Sequence, residues 1–175
     1  MTENSCYNAY SEIEKLFERQ LLLMGGNAFK QLDVRRIKRV DIDSTLRYVS
    51  QHLSGTGMTF EYMKENLMGS AGKQADSGDL DVAVDEDKFN KKTLSTIAQA
   101  TRSHLGDDIY ANTKTLKGGQ IQTAWPINGN PAEGYVQVDF IIGKLEWLKF
   151  SHWSPGKDNS PYKGVWISAL FRCTS

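Results

Sequence analysis

Apolar residues recur at helical spacing in the front part of the chain, and the pattern then changes to short continuous runs of strand length. Between Asn8 and Met24, Ile13, Leu16, Phe17 and Leu21 fall on one helical face, and Gly25-Gly26 supplies a C-terminal stop. Asp43-Ser44 reads as the cap of a second helix carrying Leu46, Val49 and Leu53, with Gly55-Thr56-Gly57 beyond it. Leu80 to Val84 has the length and composition of a buried strand. Asp85-Glu86-Asp87 then places negative charge where a helix dipole favours it, which predicts a helix running to about Leu105. Ile109 to Thr115 and Ile121 to Trp125 predict antiparallel strands around a Lys117-Gly118-Gly119 turn. Tyr135 to Ile142 predicts a further strand, and Leu145 to Phe150 a short helix. A loop with Pro155 and Gly156 leads toward a last helix between Lys163 and Arg172. Helices interleaved with strands in this way define an α/β (α+β) chain.

One polar interruption of this pattern carries chemistry. Asp79-Leu80-Asp81 opens the Leu80–Val84 strand, ten residues after Gly69-Ser70. Side chains alternate across a strand, so Asp79 and Asp81 share one face while Leu80 and Val82 point into a core. Two carboxylates on one face repel unless a cation lies between them, and carboxylate oxygens are the ligands that Mg²⁺ prefers. Asp139 stands alone among apolar residues in the Tyr135–Ile142 strand, where a charge is costly without a partner or a metal. Each piece has a plain structural explanation by itself: a solvated strand end, a turn, a carboxylate paired with Arg. The ordered set points instead to a shared metal site.

This ordered set resembles the DNA polymerase beta-like nucleotidyltransferase superfamily, whose signature is an apolar residue, Gly, Gly or Ser, a spacer, Asp-apolar-Asp-apolar, and later a strand with a third carboxylate. Gly69, Ser70, Asp79, Asp81 and Asp139 occupy those positions, and the resemblance runs from about Leu67 to about Ile142. The spacer, Ala71 to Gly78, is a residue or so shorter than is usual in that superfamily. The resemblance implies a nucleotidyltransferase fold with a mixed central sheet flanked by helices. It implies Asp79, Asp81 and Asp139 as catalytic residues holding two Mg²⁺ (or Mn²⁺) ions, close to a common point. It also implies transfer of a nucleoside monophosphate from a nucleoside triphosphate to an acceptor hydroxyl of RNA, protein or a small molecule, with release of pyrophosphate. Gly69 and Ser70 would cradle the phosphates with backbone N–H groups and the Ser70 hydroxyl. Lys73, in the same loop, is read either as a triphosphate contact or as a solvated loop lysine.

The expected organisation is a single domain over residues 1–175, with a core at about 44–150 and an N-terminal helical extension at 1–43. Larger members of the superfamily add a helical domain after the core. The segment from Ser151 to Ser175 is short for that, so the chain is expected to be a minimal nucleotidyltransferase or a shortened form of something longer.

Charge and composition narrow the remaining choices. Lys and Arg total 21 against 21 Asp and Glu, so strong nonspecific nucleic-acid binding is not announced by the totals. A basic cluster from Lys30 to Arg39 precedes the core and is read either as a phosphate-tracking element or as a solvated patch. Cys6 and Cys173 belong to no metal spacing and fit a reduced, cytoplasmic setting, and no apolar run is long enough to span a membrane. Gly72-Lys73 has Leu67 where a Walker A loop needs its first glycine, and no Ser or Thr follows the lysine. His52, His104 and His152 are too scattered for a zinc site. A three-carboxylate nuclease and a catalytically silent nucleotide-binding or regulatory domain remain as alternatives.

Overall fold

The computed structural model describes Phe29 and residues 32–105, 113–116 and 119–152. All of them belong to one compact unit spanning Gly26–Asn159. The helices expected near 8–24 and 163–172, the loop at 154–163 and the first part of the 109–115 strand lie outside the described residues.

The elements alternate as the pattern requires. In order they are β1 (Ile37–Lys38), α1 (Ile42–His52), α2 (Phe60–Glu65), β2 (Asp76–Ser77), β3 (Asp79–Asp85), α3 (Lys91–Leu105), β4 (Thr113–Leu116), β5 (Gln120–Pro126), β6 (Tyr135–Gly143) and α4 (Leu145–Ser151). A mixed four-stranded sheet runs β3-β6-β5-β4, and β1 pairs with β2 in a separate two-stranded ribbon. β3 lies parallel to β6, while β6 with β5 and β5 with β4 are antiparallel. The chain is therefore a mixed α/β structure of helices and mixed sheets. Among the described residues, no helix is long and apolar enough to cross a membrane.

The two faces of the sheet differ in chemistry because strand side chains alternate. One face presents Leu80, Val82 and Val84 from β3, Val136, Val138 and Phe140 from β6, and Ile121 and Trp125 from β5, all buried. Against it pack Ile42, Leu46 and Val49 of α1 and Leu94, Ile97 and Ala98 of α3. Thr123 is also buried there without loss, since its hydroxyl donates to the Val138 carbonyl and accepts from Trp125 Nε1. The opposite face carries Asp79 and Asp81, Gln137 and Asp139, and Gln120 and Gln122. A small second cluster of Met68, Ala83 and Leu148, with Ile141 and Leu145 beside it, covers the far end of that face.

Several local expectations are corrected. α1 begins at Ile42, after a tight 3-10 turn at Arg39–Asp41, so Asp43 and Ser44 lie in its first turn and do not cap it. The expected helical extension at 1–43 is, in its described portion, a bridge at Val34, the short strand β1 and that turn. Asp85-Glu86-Asp87 does not start α3. The Asp85 side chain accepts from the Asp87 N–H and its carbonyl from the Lys88 and Phe89 N–H groups, which closes a turn after β3. The helix starts only at Lys91, with Asn90 Oδ1 accepting from the Lys92 N–H. α2 was not foreseen; Thr59 caps it by accepting from the Tyr62 N–H. The Tyr62 hydroxyl then donates to the Ala83 carbonyl and accepts from the Asp85 N–H, fastening α2 to the edge of β3 that faces away from β6.

Candidate functional site

The acidic residues meet through the parallel pairing of β3 and β6. Asp79 lies opposite Gln137, and Asp81 lies opposite Asp139. With a period of two along each strand, all four side chains emerge on one face. Asp139 is nearly fully buried, with 4% of its surface exposed, whereas Asp79 and Asp81 are partly buried.

The Gly69-Ser70 turn reaches this face from the other side of β3. Leu67 bridges to Val82, and the Met68 N–H donates to the Asp81 carbonyl at 2.8 Å. The chain then turns at Gly69, whose φ of +66° is one that L side chains rarely adopt. A Cβ there would stand 3.4 Å from Asp81 Oδ2, so the turn lies directly against that carboxylate. Gly72 also has positive φ, at +74°.

Two donors of the expected phosphate cradle have partners within the fold. The Gly69 N–H donates to the His152 carbonyl at 3.2 Å, and the Ser70 hydroxyl shares a hydrogen bond with that of Ser77 at 3.0 Å. Both groups are therefore engaged within the fold. Lys73 is exposed on the loop, and its N–H and that of Gln74 turn back to the Ser70 carbonyl.

Electrostatics on this face are strained in one direction. Burial, then the charges of Asp79 and Asp139, push the Asp81 carboxyl up to about 8. Burial also raises Asp79, although the positive charge of Arg36 draws it back. Asp139 is pushed up to about 6 by burial, opposed by hydrogen bonds from Gln122, Gln137 and Gln120. Like charges held close in a poorly hydrated site resist ionising together.

Arg36 is a residue whose part at this site could not be assigned from sequence. Its Nε and one terminal nitrogen contact Asp76 Oδ1 at 2.8 and 2.7 Å. The β1–β2 ribbon brings this piece of the basic cluster beside the strand of Asp79. By contrast, Arg35 is turned to Asp33.

The donor set fits a hard divalent cation in chemistry, since it consists of carboxylate oxygens. In its arrangement it stops short: among the described residues, no three His, Cys, Asp or Glu side chains stand converged as a metal cage. The Asp139 oxygens are engaged instead by the amides of Gln120, Gln122 and Gln137. No protein-family model matches the chain, and no curated protein matches it.

Proposed function

We propose that the chain is a nucleotidyltransferase of the DNA polymerase beta-like type, dependent on Mg²⁺ or Mn²⁺. The observation that carries this reading is the in-register pairing of Asp81 with Asp139, with Asp79 on the same face and the Gly69 turn against the Asp81 carboxylate. Three acidic side chains made costly to ionise by burial and by one another have a physical reason to recruit a divalent cation.

In this reading Asp79 and Asp81 would hold the metal ions and the triphosphate they carry, and Asp139 with Asp81 would orient the acceptor hydroxyl and help draw off its proton. The bound ions would supply Lewis-acid stabilisation of the attacking and leaving oxygens. The acceptor oxygen forms a bond to the α-phosphorus as the bond to the bridging oxygen breaks, and pyrophosphate leaves. The left-handed turn at Gly69 brings backbone close to the phosphates. Arg36, steered by Asp76, and the exposed Lys73 meet the negative charge of the triphosphate.

The test is incubation with labelled nucleoside triphosphates and Mg²⁺ against RNA, protein and small-molecule acceptor pools. Labelled product accompanied by pyrophosphate supports transfer. Triphosphate binding without pyrophosphate would point to the silent domain, and cleavage of nucleic acid without triphosphate use to the nuclease.

A further inference from the structure

Three glutamines surround Asp139, and the roles given to Asp79 and Asp81 do not account for them. Gln122 lies directly across from Asp139 in the β5–β6 pairing, Gln120 is two residues away on the same strand face, and Gln137 precedes Asp139 by two on β6. Gln120 Nε2 donates to Asp139 Oδ2 at 2.9 Å, and Gln122 Nε2 donates to the same oxygen at 3.2 Å. Gln137 Nε2 straddles the carboxylate, at 2.9 Å from Oδ1 and 3.1 Å from Oδ2.

The two oxygens are thus unequal. Oδ2 takes contacts from three amides, more than its lone pairs accommodate well, while Oδ1 takes one and keeps accepting capacity. The donors are also all neutral. A Lys or Arg in their place would fix the carboxylate equally well, but its positive charge would repel a cation from the face shared with Asp79 and Asp81. Amides orient the carboxylate and leave its charge available.

We propose that Gln120, Gln122 and Gln137 are positioning residues that tie down Oδ2 of Asp139 and present Oδ1 to a divalent cation shared with Asp81. The proposal rests on the reading of Asp139 as a metal ligand. Hydrogen-bond partners that orient a ligating group commonly contribute tenfold or more in metal affinity.

The experiment is a double-mutant cycle on Mn²⁺ affinity, read by electron paramagnetic resonance of free Mn²⁺, with thermal melts in metal-free buffer as the fold control. Gln122→Met keeps length and removes the donor; it should weaken Mn²⁺ binding about tenfold with little change in the metal-free melt. In an Asp139→Ala background the same substitution should cause no further loss, because the ligand through which it acts is gone. Equal losses in both backgrounds, or no loss in a parent that binds Mn²⁺, would overturn the proposal. Should Gln122→Met fail to fold, Gln120→Met, at the start of β5 and only partly buried, carries the same cycle. A parent that binds no Mn²⁺ removes the metal reading and this inference with it. A non-additive cycle in a protein that transfers no nucleotide would sustain the inference and overturn only the nucleotidyl-transfer reading.

Discussion

Asp81→Asn should stabilise the metal-free protein, by an amount that grows with pH. Burial and the neighbouring carboxylates push Asp81 up to about 8 in the folded chain, against roughly 4 when unfolded. Between those two values the folded chain holds a proton that the unfolded chain has released, so stability falls as pH rises through the window and levels off above it. Each unit is worth about 1.4 kcal/mol, so near pH 7 the Asp81 carboxyl costs the metal-free fold on the order of 4 kcal/mol. Asn keeps the shape and removes the charge, at the expense of about 1 kcal/mol for an amide whose hydrogen bonds are incompletely met. The net gain should be about 2–3 kcal/mol near pH 7 and should turn into a small loss of up to about 1 kcal/mol near pH 4. Urea titrations with a chelator, from pH 4 to 8.5, measure it as a shift in midpoint at constant slope. Asp139, pushed up to about 6, adds a decline of smaller total size that levels off above that pH, and both proteins should share it. Parallel stability curves for parent and variant across this range, or a variant that is less stable at pH 8, would refute the reasoning.

Asp79→Ala should abolish pyrophosphate release with the fold intact, and Asp139→Asn should bind triphosphate while losing transfer; circular dichroism and a product assay on the same preparations check both. Gly69→Ala should cost about 1–2 kcal/mol in the urea midpoint, because an L side chain must hold the left-handed backbone there, and it should reduce transfer by disturbing the turn against Asp81. Arg36→Ala should raise the apparent KM for the triphosphate on the order of tenfold, the worth of one charge-assisted contact, with a smaller change in kcat; steady-state kinetics separate the two.

What the amino-acid order determined by itself is the placing of the apolar runs and the alternation of side chains within them. The apolar runs placed β3, β6 and α4 close to their observed bounds, because a strand that is buried on one face must repeat apolar residues along its length. The alternation of Asp79, Leu80, Asp81 and Val82 likewise settled that both carboxylates leave β3 on the side away from the core. Local reading failed where side chains redirected the backbone. Asp85 closes a turn instead of starting a helix, and Thr59 caps a helix too short to show a period.

The tertiary structure alone decided how separate strands come into register. Asp81 faces Asp139 because β3 pairs in parallel with β6 across the intervening α3, β4 and β5, a match that no local spacing encodes. The same pairing, with β5 on the other side, gathers Gln120, Gln122 and Gln137 onto one carboxylate. In sequence these glutamines are ordinary polar positions of strand faces. Arg36 acts on Asp79 only because the β1–β2 ribbon folds the basic segment back beside β3. Burial, which raises all three carboxyls, is also a property of the assembled sheet and the elements packed on it, since an isolated strand would leave Asp79, Asp81 and Asp139 in water.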